Sequence, residues 1–413
     1  MSESETRNSK SGARRGRRYS AVGLMVLLAL VVGIALTACG GGGSSSETGG
    51  ATEASGEETT GGESTASTGS SSAIVTEAKE LVKELEMTTT KWSGPTTGPK
   101  ASPGKSLVVI TCTSNDPVCV EVGESVEEVG GKLGWKVTVV SGNKGTQQEV
   151  TEAWNQALAL KPDGIVNVAT DATANKKSLL EAKQLGIPVV GVLSTGEAGP
   201  AEDVNEFANV SQDPGEIGKA LVMLAIAETN GEAKVAIDGV AGYAIAEEKT
   251  DEMKKILAKC EGCEELAYNG ADLSAFETET PQLISGWVSK FGPEFWILTV
   301  ADAFVTPMIT PLRQGGVPPD GIKIAASDGS PEAYERIRNG EYQVATIPQS
   351  PTQLAFQAVD ELNRAFNNQP SSGFAQPLHI VSKNNVEETG GAENEYVGTI
   401  GFEEQYEEIW SGK

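Results

Sequence analysis

The sequence has a single histidine, His379, in 413 residues. Ser-His-Asp and Cys-His nucleophilic chemistry and multi-histidine metal catalysis would all hang on that one ring, so the composition argues against each of them. Positive charge is also scarce. Lys and Arg total 32 against 57 Asp and Glu, a net charge of −25. Nucleic-acid binding needs a Lys/Arg surface for phosphate contacts, so this balance excludes it as an expectation. Aromatics are only 5 % while glycine reaches 48 residues, which fits a globular part combined with low-complexity sequence. The length itself predicts two or three domains as a soft prior.

The charge that is present is segregated. Residues 1–20 carry Arg7, Lys10, Arg14, Arg15, Arg17 and Arg18 against Glu3 and Glu5, and residues 21–38 carry no charge and are mostly Leu, Val and Ala. A basic stretch, an apolar stretch and small residues before a cut site make a secretory signal. The closing Leu36-Thr37-Ala38-Cys39 looks like a bacterial lipobox, in which residues 1–38 are the signal peptide and Cys39 is acylated. A single uncleaved membrane helix is the alternative, but 18 apolar residues sit at its lower limit. The paired arginines leave general-secretory and twin-arginine export both open.

Residues 40–72 contain only Gly, Ser, Thr, Glu and Ala. No side chain there can bury a core, so the stretch is expected to be a disordered coil spanning roughly 30 Å. Ile74, Ala78, Leu81, Val82 and Leu85 form one helical stripe, followed by a Pro/Gly-rich linker from Gly94 to Gly104. Residues 39–103 are therefore expected to be a lipid-anchored disordered tether with a short helix, and one lipid with a coil is an anchor rather than a span. The segment Gly98 to Ser106 imitates a phosphate-binding loop, with Gly104-Lys105-Ser106 at its end. It has five residues between its glycines where the motif has four, two prolines that remove backbone donors, and a strand instead of a helix after it. The chain is not expected to hydrolyse ATP.

From residue 105 strands and helices alternate. Leu107–Ile110, Lys136–Val140, Gly164–Val168 and Ile187–Leu193 are short apolar runs, separated by amphipathic stretches at 118–133, 147–160 and 172–185. A second round has strands at 207–210, 234–237, 265–268, 295–299 and 322–325, with helices at 214–228, 246–259, 277–291 and 302–314. This pattern predicts parallel sheets covered on both faces, as two doubly wound α/β lobes. Ligands of such sheets bind outside the carboxyl ends of the strands. Those ends carry Thr113–Asp116, Thr170-Asp171, Ser194-Thr195, Val240–Tyr243, Ala301-Asp302 and Ser327–Gly329, mostly short hydrogen-bonding side chains suited to a small polar ligand. Trp135, Trp154, Trp287 and Trp296 fall among apolar neighbours and are expected in the core. Glu121, Glu124, Glu127 and Glu128 are expected on a solvated helix face.

Five phrases carry a family likeness: Leu160-Lys-Pro-Asp-Gly-Ile-Val166, Ala182-Lys-Gln-Leu-Gly-Ile-Pro-Val-Val190, Ser327-Asp-Gly-Ser-Pro-Glu-Ala333, Arg338-Asn-Gly-Glu-Tyr-Gln-Val-Ala-Thr-Ile-Pro-Gln349 and His379-Ile-Val-Ser-Lys-Asn-Asn385. In this order, residues about 105–370 resemble type I periplasmic binding proteins, the ribose/galactose-binding group that serves ABC importers. The resemblance implies two lobes joined by a three-strand hinge, with 104–211 plus 350–378 as the first lobe and 212–349 plus 379–413 as the second. It also implies closure of the lobes around a ligand and docking on a permease. Carried over position by position, it places Asp328 and Gln349 on ligand hydroxyls, with Asn115 and Asp116 in the first loop. Lys249 stands where sugar binders have Arg, without its bidentate fork. The stacking aromatics become Val118 and Cys119, the Asp-Arg pair becomes Leu193 and Ser194, a second-lobe aromatic becomes Leu273, and an Asn becomes Ala301 beside Asp302. Phe304 or Tyr243 could substitute as an aromatic surface.

Four cysteines follow Cys39, and four allow three pairings. Neighbour pairing, Cys112 with Cys119 and Cys260 with Cys263, would clip the first strand to the first helix and close a surface turn. The Cys-Glu-Gly-Cys motif ends a helix rather than opening one and has no second pair or histidine near it, which disfavours a redox or zinc site.

These readings converge on a lipid-anchored, extracytoplasmic, monomeric solute-binding protein without catalysis, metal or cofactor. It would capture a small polar ligand, carbohydrate-like first, and deliver it to an ABC permease. The alternatives are a sensor that signals to a membrane receptor, or a binder of a nucleoside or signalling molecule. A Rossmann enzyme would need a glycine-rich turn after Leu107–Ile110, where Thr-Cys-Thr-Ser-Asn-Asp-Pro stands instead.

Overall fold

The computed structural model describes residues 67–87 and 92–412. The signal segment, the lipobox at Cys39 and most of the Gly/Ser-rich stretch lie outside the described residues. Among the described residues no helix is long and apolar enough to cross a membrane.

Two parallel sheets form the frame. The first runs β2-β1-β3-β4-β5, with β1 Ser106–Thr111, β2 Lys136–Ser141, β3 Gly164–Val168, β4 Val189–Val192 and β5 Ala208–Val210. The central strands β1, β3 and β4 are almost wholly buried, because helices cover both faces. The second sheet runs β11-β10-β9-β8-β6-β7, with β6 Lys234–Val240, β7 Glu264–Ala271, β8 Phe295–Thr299, β9 Ile322–Asp328, β10 Gln343–Pro348 and β11 Val381–Ser382. All pairings are parallel except β10 with β11. The four tryptophans expected in the core are all buried.

Helix starts are set by a polar cap followed by proline. Asp116-Pro117 opens α2 (Pro117–Lys132), Asp213-Pro214 opens α5 (Pro214–Glu228), Ser330-Pro331 opens α9 (Pro331–Asn339) and Ser350-Pro351 opens α10 (Pro351–Phe366). Each cap oxygen accepts a first-turn N–H, and proline has no N–H to leave orphaned there. The carboxyl ends of β1, β5, β9 and β10 therefore feed helices after very short loops. The other helices are α1 Ser67–Glu86, α3 Gln147–Ala159, α4 Lys176–Gln184, α6 Ala244–Leu257, α7 Phe276–Phe291, α8 Thr306–Gln314 and α11 Phe402–Ser411.

Both ends of the described chain depart from expectation. Helix α1 is docked, not carried loosely on a tether: Ala78 is fully buried, and Ile74, Val75, Leu81, Val82 and Leu85 pack with the α5 core of the second lobe. The Gly94–Gly104 segment is not a free linker either. Trp92 packs edge-on against Tyr406, Arg364 Nη2 donates to the Thr97 carbonyl at 2.6 Å, and Trp135 Nε1 donates to the Ser102 carbonyl at 2.6 Å. The segment thus covers the first lobe with polar and aromatic contacts that its composition does not announce. At the other end, α11 was expected with the second lobe. It packs on the first: Trp410 stacks on Phe356, and its indole N–H donates to Asp360 Oδ1 at 2.9 Å. The aromatic face of α11 finds its apolar partner on α10, which is why residues 402–411 join the first-lobe core.

Ala78→Glu places a carboxylate in the α1–α5 seam and should cost about 2–3 kcal/mol. A thermal melt checks this, and an unchanged melting point would show that α1 adds nothing to the second lobe.

Candidate functional site

The two sheets meet at three crossovers, and their strand ends face each other across a pocket of about 600 Å³, mouth included. The hinge is tied at one side chain. Gln212 Nε2 donates to the carbonyls of Pro348 at 3.1 Å and Pro377 at 3.0 Å, so all three crossovers meet on its amide. The backbone N–H of Gln376 donates to Ser211 O and that of Gln349 to Asp328 O. At the far side of the cleft, Asp171 of the first lobe accepts the Ala244 N–H of the second at 2.7 Å. The lobes are therefore closed on each other in this structure.

Four of the seven expected ligand residues line the pocket: Asp116, Lys249, Asp328 and Gln349. Asp116 caps α2 by accepting the Val118 N–H at 3.0 Å. Lys249 Nζ donates to Val300 O at 3.0 Å and to Ser327 Oγ at 2.9 Å, which fixes the ammonium beside Asp328. Gln349 is 2 % exposed, and neither its amide oxygen nor its amide nitrogen has a partner. A buried amide with both ends unpaired is costly unless something else completes it.

Removal from water and the neighbouring Asp328 push the Asp116 carboxyl up to about 7, against the pull of its backbone hydrogen bond and Lys249. Burial also raises Asp328, with Lys249 opposing, and lowers Lys249, with Asp328 opposing. Three wall residues, Ala169, Leu193 and Asp328, hold positive φ angles of 51°, 57° and 109°. Such strain persists only where surrounding packing imposes it, and it tends to gather at binding sites. Gly329 follows at φ +83°, and a Cβ there would lie 2.5 Å from the Pro348 side chain, so glycine is what lets the Asp328 loop close on the hinge.

The other three expected residues do not reach the pocket. Ser194 turns into the first lobe, donating to Glu206 Oε2 at 2.6 Å and to Asn209 Oδ1 at 3.2 Å. Asp302 turns into the second lobe, where it accepts from the N–H groups of Gly329 at 2.7 Å and Ser330 at 3.0 Å, Thr346 Oγ1 at 2.8 Å and Gln343 Nε2 at 2.6 Å. It is a brace for the Asp328 loop. Asn115 is exposed and lines a separate shallow depression with Pro117 and Phe276. Side-chain direction after a strand depends on local φ/ψ, which position in the sequence alone does not set.

Of the positions where the sequence departs from sugar binders, Val118, Cys119, Leu193, Leu273 and Ala301 line the pocket and Ser194 does not; Phe304 and Tyr243 also line it. Phe304 is stacked on Phe276 at 4.4 Å. Cys112 is joined to Cys119, and Cys260 to Cys263. The first bridge is part of the pocket wall. Cys112, Asp116 and Cys119 cluster closely enough to suit a metal ion, but the disulfide consumes the two thiolates such a site would need. Wall residues that the sequence did not single out are Ile245, Ala246, Val300 and Ala169. Glu206 was also missed. It is buried behind β4, accepts from Ser194 and from Asn167 Nδ2 at 2.8 Å, and burial raises its carboxyl to about 7.

Residues 107–370 match the periplasmic binding protein domain over most of the chain. The chain belongs to the periplasmic binding protein family. No curated protein matches it. Among solved structures, a sugar ABC transporter protein from Yersinia enterocolitica is 17 % identical, with 77 % of this chain and 99 % of that one covered at a TM-score of 0.64. The periplasmic binding component of the arabinose ABC transporter from Shewanella sp. ANA-3, bound to L-arabinofuranose, is 16 % identical over 74 % and 95 % of the two chains, with a TM-score of 0.61. The XylFII-LytSN complex is 17 % identical over 68 % and 99 %, with a TM-score of 0.60. At these identities the likeness shows the fold: two α/β lobes of the type I periplasmic binding protein. Family members bind ligands and are not enzymes.

Asp302→Ala removes four hydrogen-bond acceptances and should destabilise by about 3 kcal/mol or more, whereas Gln349→Ala, which breaks no side-chain bond and removes an unpartnered buried amide, should leave the melting point unchanged or raise it. Calorimetry of both variants separates brace from binding group, and equal losses would contradict the assignment. Glu206 holds its proton up to about 7 in the folded protein against an ordinary value of 4.5, so it lowers stability progressively as pH rises between those values. The melting-point difference between pH 5.5 and 8 should therefore shift by roughly 2–5 °C in Glu206→Gln, with the variant gaining relative stability at the higher pH. Parallel pH profiles of the two proteins would show that Glu206 is not held protonated.

Proposed function

We propose that this protein is a lipid-anchored, extracytoplasmic solute-binding component of an ABC importer, holding one small solute between its lobes for delivery to a permease. The observation that carries the reading is Gln349. It sits on the hinge between β10 and α10, is buried, has both amide atoms free, and faces the pocket beside Asp116 and Asp328. A solute seated there would complete those bonds and touch both lobes at once, which couples occupancy to closure. Acylation of Cys39 would hold the domain at the outer face of the membrane, with residues 40–66 as part of the spacer. The arabinose-binding relative makes carbohydrate the first class to test.

A second reading is favoured by the XylFII-LytSN complex, a type I lobe pair in a complex with a second component. The same closure could be passed to a membrane receptor instead of a permease. Co-purification from membranes separates the two by which component is retained.

A thermal-shift screen of the full-length chain against sugars, polyols, nucleosides, amino acids and small amines tests the binding role. A solute at 100 times its Kd adds about 2.7 kcal/mol to the folded state. The shift should disappear in Asp328→Ala and Gln349→Ala. A shift that survives both substitutions would place binding elsewhere.

A further inference from the structure

Tyr243 aside, the pocket offers four polar side chains: Asp116, Lys249 and Asp328, whose charges act on one another, and the unpartnered amide of Gln349. The remaining wall is hydrocarbon and sulfur, chiefly Val118, Leu193, Ile245, Leu273, Phe304 and the Cys112–Cys119 bridge. A pentose or hexose carries hydroxyls around its whole rim. Those turned toward this wall would be buried without partners, each lowering affinity by about tenfold.

The charges are also unbalanced. Asp302 is linked to the Arg336 guanidinium through Gln343, whose amide donates to Asp302 and accepts from Arg336 Nε at 2.8 Å. Lys249 stands beside Asp328. Among the described residues Asp116 then has no cation of its own: its side chain's one hydrogen bond is from the Val118 N–H, and the charges acting on it are Asp328, Lys249 and Asp302. An acidic groove continues from the pocket. Glu121, Glu124 and Glu128 of α2 face Glu393 and Glu395 across it, and Asp328 and Gln349 line groove and pocket alike. Burial and the carboxylates of Glu395, Glu332 and Glu124 push Glu121 upward. A cleft lined by one sign of charge concentrates counter-ions at its entrance.

We propose that the solute is a small organic cation, a protonated amine on a compact apolar body, with its ammonium among Asp116, Asp328 and the Gln349 amide oxygen and its body against Val118, Leu193, Leu273 and Phe304. This rests on the cleft being the solute site. The ammonium adds a second cation beside Lys249 to the two carboxylates, which balances the set, and the apolar body covers the wall that no sugar hydroxyl could satisfy.

Isothermal titration of the full-length chain at pH 7.5 tests it with phenethylamine, cyclohexylmethylamine and isoamylamine, each against its neutral alcohol counterpart, alongside L-arabinose and D-ribose. At least one amine should bind about tenfold or more tighter than its alcohol, and the two sugars should bind weakly or not at all. Asp116→Asn keeps the helix cap, so the fold stands, and it should reduce amine affinity by on the order of tenfold, a larger loss than for the alcohol. Sugar binding without amine binding, equal affinity for amine and alcohol, or amine binding indifferent to Asp116→Asn would each overturn the cation assignment while leaving a solute-binding role intact. Silence from every compound, sugars included, would overturn the cleft as the solute site and this proposal with it.

Discussion

The structure depends on one amide. Gln212 donates both its side-chain hydrogens to carbonyls of other crossovers, those of Pro348 and Pro377. The two acceptors lie far apart in sequence, so this side chain holds three separate passages of the chain at a common point. The hinge is therefore narrow and strongly specified, and the pocket is positioned directly beside it through Gln349. Asp328 is tied to that hinge by the Gln349 N–H, which donates to its carbonyl.

The two kinds of buried polar group in the lobes have opposite roles. Asp302, Ser194 and Glu206 have their bonding capacity spent inside one lobe, on N–H groups, hydroxyls and amides that hold loops in place. Gln349 has none of its capacity spent. Buried side chains of the first kind stabilise, and those of the second kind cost stability until a ligand arrives. The positive-φ residues Ala169, Leu193 and Asp328 add strain at the same wall. A binding site that is under-satisfied and strained when empty gains on both counts when filled, which is how occupancy can favour the closed state.

Much of this was legible in the sequence. Periodicity located nearly every strand and helix between residues 105 and 325, because continuous apolar runs and amphipathic stretches are what a doubly wound lobe requires. The rule that ligands sit at carboxyl strand ends reached Asp116 and Asp328, and the family resemblance added Lys249 and Gln349; all four line the pocket. Ser194 and Asp302 follow the same rule and point away, since a residue after a strand can face the cleft or fold back beneath it according to backbone angles that composition does not reveal. The ends of the chain were the least legible. Trp92 and the prolines around it resemble a linker by composition, yet Tyr406 and Phe374 supply an aromatic seat for the indole. The family resemblance put residues 379–413, and α11 with them, in the second lobe, but the aromatic face of α11 matches Phe356 on the first. Order along the chain does not encode which lobe a terminal helix will find. Glu206 was invisible because a lone glutamate before a strand carries no signal of burial.

A solute in this cleft bonds the hinge glutamine from a position touching both lobes. The most direct measurement is a structure determined with the solute that most raises the melting point. The solute should lie between Asp116, Asp328 and Gln349, with hydrogen bonds to the Gln349 amide and contacts to Leu193 on one lobe and Phe304 on the other. A solute seated instead in the cavity beside His379 and Tyr396, with the Gln349 amide still unpartnered, would contradict the account.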